Sequence, residues 1–260
     1  MSKLRDALYG FAVGDALGVP YEFRSRGSFT CRGMVGYGTH VQEKGTFSDD
    51  TSMTLATADS IRICGMINPD DIMQRFLLWL NEGKYSPDNR VFDIGNTTLR
   101  ALERYDGTTP FCGGKRESDN GNGSLMRILP LAFVPGVTDK EIAAVSSLTH
   151  AHEMSISYCI RYVRLAGALI NGDDVIFEYE NPIRSSGFVR DTFNAVMYAL
   201  ATTSSYEECV LKAVNLGDDT DTVAAIAGGL AGIKYGLESI PRNWLDSLRG
   251  KEIIEGCLFP

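Results

Sequence analysis

The sequence predicts an all-α protein folded as a single domain over residues 1–260, on three observations. Apolar residues recur at three- and four-residue steps wherever a period is legible, as in Val223, Ile226, Leu230 and Ile233. Period-two alternation is nearly absent, and only residues 35–41 leave room for a short hairpin. No linker, internal repeat or low-complexity run interrupts the chain, whose 260 residues suffice for one large core.

In chain order, the first helix is expected over residues 3–17. Gly10, Gly14 and Gly18 form a small-residue stripe along it, and Gly228, Gly229 and Gly232 form another in the last strongly apolar segment. Neither is a dinucleotide-binding fingerprint, because no strand precedes it and the spacing is wrong; close helix packing explains both. A glycine-rich loop follows over 24–45. The acidic run Gly45-Thr46-Phe47-Ser48-Asp49-Asp50-Thr51 then opens a helix marked by Met53, Ala56, Ser60 and Ile63. Further helices are expected over 69–82, 90–105, 139–148, 153–171, 188–202 and 206–216. The glycine-rich segment 112–123, Pro182 and Pro241 mark loops. A second acidic run, Gly217-Asp218-Asp219-Thr220-Asp221-Thr222, opens the helix that carries the apolar face from Val223 to Ile233.

A formal net charge of -8 argues against nucleic acid or an anionic membrane as the default partner. Six cysteines without a CxxC pair fit neither a zinc site nor a disulfide framework, so a reducing cytoplasm is expected. No signal pattern opens the chain, and the stretch 223–233 is too short and glycine-rich to span a bilayer.

The two acidic runs carry most of the chemical information. Carboxylates suit a helix N-terminus, where Ser, Asp and Thr cap free N–H groups. One side-chain oxygen satisfies one or two such donors, so the second run exceeds what a cap needs. Carboxylates and hydroxyls this dense repel one another unless a hard divalent cation lies between them. A third segment, Gly121-Asn122-Gly123-Ser124-Leu125-Met126-Arg127, has the glycines that let a backbone approach a ligand, or simply turn. Asp93-Ile94-Gly95-Asn96, Thr149-His150-Ala151-His152 and Glu22 are weaker signals. No phosphate-binding GxxxxGK[ST] loop, HExxH pair or GxSxG elbow occurs.

Taken together and in this order, from Gly14-Asp15-Ala16-Leu17-Gly18 to Gly217-Asp218-Asp219-Thr220-Asp221-Thr222, these segments resemble the ADP-ribosylglycohydrolase family. The resemblance implies an all-helical domain with a central dinuclear cleft holding two divalent cations, Mg2+ or Mn2+. It implies Ser48, Asp49, Asp50, Asp219, Asp221 and Thr222 as metal ligands, with Ser48 standing where many members have threonine. Asp218 then lies beside or outside the site. Asp93, Glu22 and Asp50 are implied at the reacting centre, with the general acid and base unassigned between Asp93 and Glu22. Asn96 is implied at the ribose, Gly121, Asn122, Gly123 and Ser124 at the phosphates and distal ribose, His150 as a substrate contact, and Glu117 as an acidic residue of the bacterial branch.

The reaction so implied is metal-dependent removal of ADP-ribose from a modified protein or small acceptor, with an N-glycosidic arginine linkage favoured. Nucleic acid enters only as a modified acceptor, no membrane is involved, and the chain is expected as a monomer. Two alternatives stay open: hydrolysis of another ADP-ribosyl or nucleotide-like substrate, and a silent ADP-ribose-binding module. The intact carboxylate set speaks against the second.

Overall fold

The computed structural model describes residues 2–260, which form helices α1 (Lys3–Gly18), α2 (Asp49–Cys64), α3 (Pro69–Glu82), α4 (Asn96–Arg104), α5 (Asp139–Ser146), α6 (Glu153–Asn171), α7 (Val189–Ala201), α8 (Tyr206–Val214), α9 (Thr220–Tyr235), α10 (Arg242–Ser247) and α11 (Lys251–Gly256). Short 3-10 turns lie between several of them, and among the described residues β-structure is confined to isolated bridges. The fold is all-helical, as the periodicity predicts.

The core is organised on α1 and α9. Every residue of α1 from Asp6 to Gly18 is buried, as is every residue of α9 from Thr220 to Ile233, the pattern of helices surrounded on all sides. Their glycine stripes face each other. A Cβ on Gly10 would lie 2.4 Å from the Gly228 carbonyl oxygen, one on Gly14 2.1 Å from that of Ala224, and one on Gly18 2.3 Å from the Asp221 Cα. The opposed numbers fall on α9 as they rise on α1, so the helices run antiparallel. Helices α8, α7 and α6 pack on α9, α2 touches both central helices, and α3 covers α2.

A methyl group at Gly14 must push the two central backbones apart, and overpacking of this kind costs about 1–3 kcal/mol. The variant Gly14→Ala is expected to melt at least ~2–4 °C lower for each kcal/mol lost. An unchanged melting temperature would show that the helix contact is loose.

Local chemistry explains several helix ends. Ser48 caps α2 by accepting from the Asp50 N–H, Asn68 caps α3 ahead of Pro69, and Thr138 and Glu141 form a capping box on α5. Gly65 and Gly83 end α2 and α3 in left-handed conformation, φ 66° and 68°.

Three local expectations are corrected. The helix predicted from residue 90 begins only at Asn96, because Asn89 and Asp93 sit at φ 52° and 65° and break a right-handed helix. Residues 35–41 form no hairpin but a single bridge, Tyr37 to Gln42, around a 3-10 turn. Ile63 is 58 % exposed, so the face of α2 inferred from Met53, Ala56 and Ser60 stops short of it.

Candidate functional site

The antiparallel central pair carries the C-terminal end of α1 to the N-terminus of α9. There the Thr220 hydroxyl donates to the Gly18 carbonyl at 2.8 Å. One turn earlier, the buried Asp15 carboxylate holds α2: Oδ1 accepts the Ser48 N–H at 2.9 Å, and Oδ2 accepts the Thr51 N–H at 3.0 Å and its hydroxyl at 2.6 Å. Helix α1 therefore clamps the N-termini of α2 and α9 side by side. Both acidic runs sit on rigid elements, with the positive ends of two helix dipoles directed toward them.

Above this junction opens a cleft of about 340 Å³ lined by Glu22, Phe23, Asp49, Asp93, Asn96, Gly121, Asn122, Gly123, His150, Gly187, Asp219 and Thr222 among others. A wider groove of about 670 Å³ runs past Lys3, Arg164 and Asp173. The chemistry belongs to the smaller cleft, because there the carboxylates converge. Asn122 Nδ2 donates to Asp219 Oδ2 at 2.7 Å and to Thr192 Oγ1 at 2.9 Å, which fixes one face of that carboxylate. The Asp219 N–H donates to the Ser185 carbonyl, so the loop before α7 forms part of the wall.

Beneath the floor lie Ser48, Asp50 and Asp221, each almost completely buried. Among the described residues Asp50 Oδ1, Asp219 Oδ1 and Asp221 Oδ2 are buried without a hydrogen-bond partner. One oxygen from each of Asp15, Asp50 and Asp221 lies within 4.8 Å of the others, and the same holds for Glu22, His40, Asp93 and Asp221, one ligand atom each. Among the described residues no lysine or arginine lines the cleft. Buried anions without partners cost several kcal/mol each. Three orphaned carboxylate oxygens in a mostly oxygen donor set fit a hard cation.

Electrostatics agree with that fit. Burial, reinforced by neighbouring carboxylates, holds Asp49, Asp50 and Asp221 well above the ordinary carboxylate range. Burial raises Asp219 as well. Glu22 is pushed up to about 8 by burial and by Asp219, and Asp93 to about 8 by burial and by Glu22. Each of these groups resists its own ionisation in the protein alone, and a bound cation reverses the preference.

Most of the candidate site residues meet here, with two exceptions. Ser124 turns its hydroxyl into the core, toward Cys159 Sγ and Ser146 Oγ. Glu117 is exposed and lines an adjoining surface groove with Arg116, Ser118 and Phe188, which shares Gly121 and Gly187 with the cleft. Asp218 is exposed, at φ 57°. His150 lines the cleft, while His152 caps α6 through Nδ1.

Two residues escaped sequence reasoning. Asp15 had a usable signal, an acid between Gly14 and Gly18 in the otherwise apolar stretch of residues 7–18. His40 had none: its Nε2 meets the Glu22 carboxylate and lies 3.7 Å from Asp93 Oδ1, a contact made only by the folding of loop 24–45.

A family model described as ADP-ribosylglycohydrolase matches residues 1–184 and 174–258. The chain is 34% identical to ADP-ribosylarginine hydrolase Tri1 of Serratia proteamaculans (strain 568), over 98% of this chain and 77% of that protein. It is 34% identical to ADP-ribosyl-(dinitrogen reductase) glycohydrolase of Rhodospirillum rubrum, over 93% of this chain and 88% of that protein. A solved structure described as an ADP-ribosylglycohydrolase-related protein complex superposes with a TM-score of 0.82 at 31% identity, covering 98% of this chain and 95% of that one. Among the described residues no helix is long and apolar enough to cross a membrane.

Proposed function

This chain belongs to the ADP-ribosylglycohydrolase family, and from that premise we propose that it hydrolyses the glycosidic bond between ADP-ribose and a modified arginine, using two divalent cations of the Mg2+ or Mn2+ type. The observation that carries the reading is the convergence of both acidic runs on one cleft floor, with the buried oxygens of Asp50, Asp219 and Asp221 left without partners. We read residues 1–260 as one catalytic domain.

Ser48, Asp49, Asp50, Asp219, Asp221 and Thr222 are the residues that would hold the cations. When bound, the cations offset the carboxylate charge, orient ribose hydroxyls and acidify the attacking water. Cleavage passes through an oxocarbenium-like ribose, so negative charge near the anomeric carbon and a proton for the leaving group are both required. Asp93 and Glu22 face the same space, and burial, reinforced by neighbouring carboxylates, raises both carboxyls above the ordinary range; one donates a proton while the other accepts. His40, against both carboxylates, orients them. Asn122 keeps the Asp219 carboxylate turned toward its neighbours. Glycines at 121 and 123 let the backbone approach the pyrophosphate, and the exposed ring of Phe23 at the mouth, beside Glu22 and Asp93, suits a planar cationic acceptor.

The test is mass-spectrometric detection of free ADP-ribose from arginine-, serine- and nucleic-acid-linked substrates, with Mg2+ or Mn2+ and with a chelator. Cation-dependent release from the arginine linkage, at least ~10-fold faster than from serine, is expected; that ratio corresponds to about 1.4 kcal/mol in the barrier. Release from serine alone would move the acceptor assignment. Absence of release from every linkage, with cation bound, would point to another substrate.

A further inference from the structure

Arg127 is fully buried, and among the described residues its only charge-stabilising contacts are polar or aromatic. Its guanidinium donates to the Val145 carbonyl at 3.3 Å and the Thr149 hydroxyl at 2.6 Å, and it lies 4.7 Å from the centre of the Phe76 ring. Burying a cation this deeply is costly, and packing alone would be served better by an apolar side chain. What the cation touches suggests its use.

The Thr149 hydroxyl stands between Arg127 and His150, whose Nδ1 is 2.7 Å away. An arginine can only donate, so it occupies a lone pair of the Thr149 oxygen. The hydroxyl hydrogen then needs an acceptor, and His150 Nδ1 is the one within reach. Were Nδ1 protonated instead, two donors would converge on the hydroxyl and its own hydrogen would be stranded in a buried site. The imidazole is almost fully buried, and burial together with the adjacent guanidinium, opposed only in part by Asp119, pushes it down to about 3, so the ring is neutral. A neutral ring with Nδ1 as acceptor carries its proton on Nε2. That nitrogen faces the glycine loop: a Cβ on Gly121 would lie 3.5 Å from it and one on Gly123 3.4 Å. Among the described residues no protein group takes a hydrogen bond from Nε2.

We propose that Arg127 and Thr149 are positioning residues that lock His150 in its Nε2–H tautomer, making it a neutral hydrogen-bond donor aimed at an oxygen of the substrate's ADP-ribose across the Gly121–Gly123 loop. This rests on the cleft being the substrate site. The donor stays unchanged across neutral and mildly acidic pH, and it adds no charge to a site already crowded with carboxylates. A lysine at 127 could not replace the arginine, because it lacks the fork that reaches Val145 and Thr149 together.

The chain has three histidines, so side-chain nitrogen NMR of 15N-labelled protein resolves each ring, and His150→Gln identifies the relevant signals by their loss. The expected result is a protonated Nε2 and an unprotonated Nδ1 from about pH 5 to about pH 8, with the Nε2–H signal shifting as ADP-ribose is added. A protonated Nδ1 in the native protein overturns the relay whatever the enzyme's activity. A correct tautomer whose Nε2–H signal ignores ADP-ribose, while calorimetry shows the ligand bound, overturns the donor role and leaves the hydrolase reading standing. If ADP-ribose does not bind at all, the substrate site itself is wrong. Thr149→Val is expected to mix the tautomers and raise KM at least tenfold with native helicity, and Thr149→Ser to restore both. A Val variant with a native tautomer and native KM counts against the relay.

Discussion

Replacing Asp221 by asparagine is expected to lower ADP-ribose release by at least ~10³-fold, about 4 kcal/mol in the barrier, while making the cation-free protein more stable at neutral pH. The two effects have one cause. Asp221 is wholly buried at the first turn of α9, and one of its oxygens has no partner. It lies within reach of Asp50 on one side and of Glu22 and Asp93 on the other, so it joins both groups of ligand atoms. Asparagine keeps the shape and the oxygen that accepts the Thr222 N–H at 3.0 Å, but removes the charge. Without that charge the cation site fails, and the neighbouring carboxylates are repelled less. The melting temperature without divalent ions should rise by ~2–4 °C per kcal/mol gained. A variant that loses both stability and activity would mean that Asp221 serves packing. A variant that keeps full turnover would remove it from the site.

The second large effect is a stability that runs opposite to ordinary acid denaturation. An unfolded carboxyl titrates near ~4. In the folded chain Glu22 and Asp93 are raised to about 8 and Asp15 to about 6, and burial holds Asp50 and Asp221 high as well. Between the unfolded and folded values the native state binds more protons than the unfolded state. The derivative of unfolding free energy with pH is then negative. These groups stabilise the protein at low pH, and the contribution is lost as pH rises toward 8.

Divalent cations act in the other direction. They require ionised ligands, so their affinity rises with pH. At a hundredfold excess over Kd they add about 2.7 kcal/mol, or ~5–10 °C in melting temperature. Melting curves with chelator and with Mn2+ at several pH values test this. The gap between the two is expected to widen from acid to neutral pH. A gap that is absent, or that narrows as pH rises, would mean that the cluster does not bind the ion.

What could be read from the sequence follows how local each cause is. The acidic runs were legible because helix capping is local, and a count of oxygens against donors left a surplus at Asp219 and Asp221. The glycine stripes at Gly10, Gly14 and Gly18 and at Gly228, Gly229 and Gly232 were legible because only backbone contact calls for them at that spacing. The resemblance joined segments that periodicity alone leaves apart.

The role of Asp15 is not local, since its work is to accept N–H groups from the start of α2, some 33 residues downstream. His40 lies in a loop with no period, and its meeting with Glu22 depends on how that loop folds. Helix α4 starts later than propensity predicts because Asp93 takes a left-handed backbone that propensity does not foresee. Helices α10 and α11, six residues each, are too short for a period to declare itself. Ser124 sits in the glycine segment yet faces the core, and a one-residue difference in direction of that kind is set by packing.

Manganese anomalous diffraction, from crystals grown with Mn2+ and ADP-ribose, bears most directly on the central claim. Two manganese peaks ~3.5–4 Å apart are predicted between the N-termini of α2 and α9, against Asp50, Asp219 and Asp221, with the ribose turned toward Asp93. Manganese absent from that junction, in protein that still releases ADP-ribose, would contradict it.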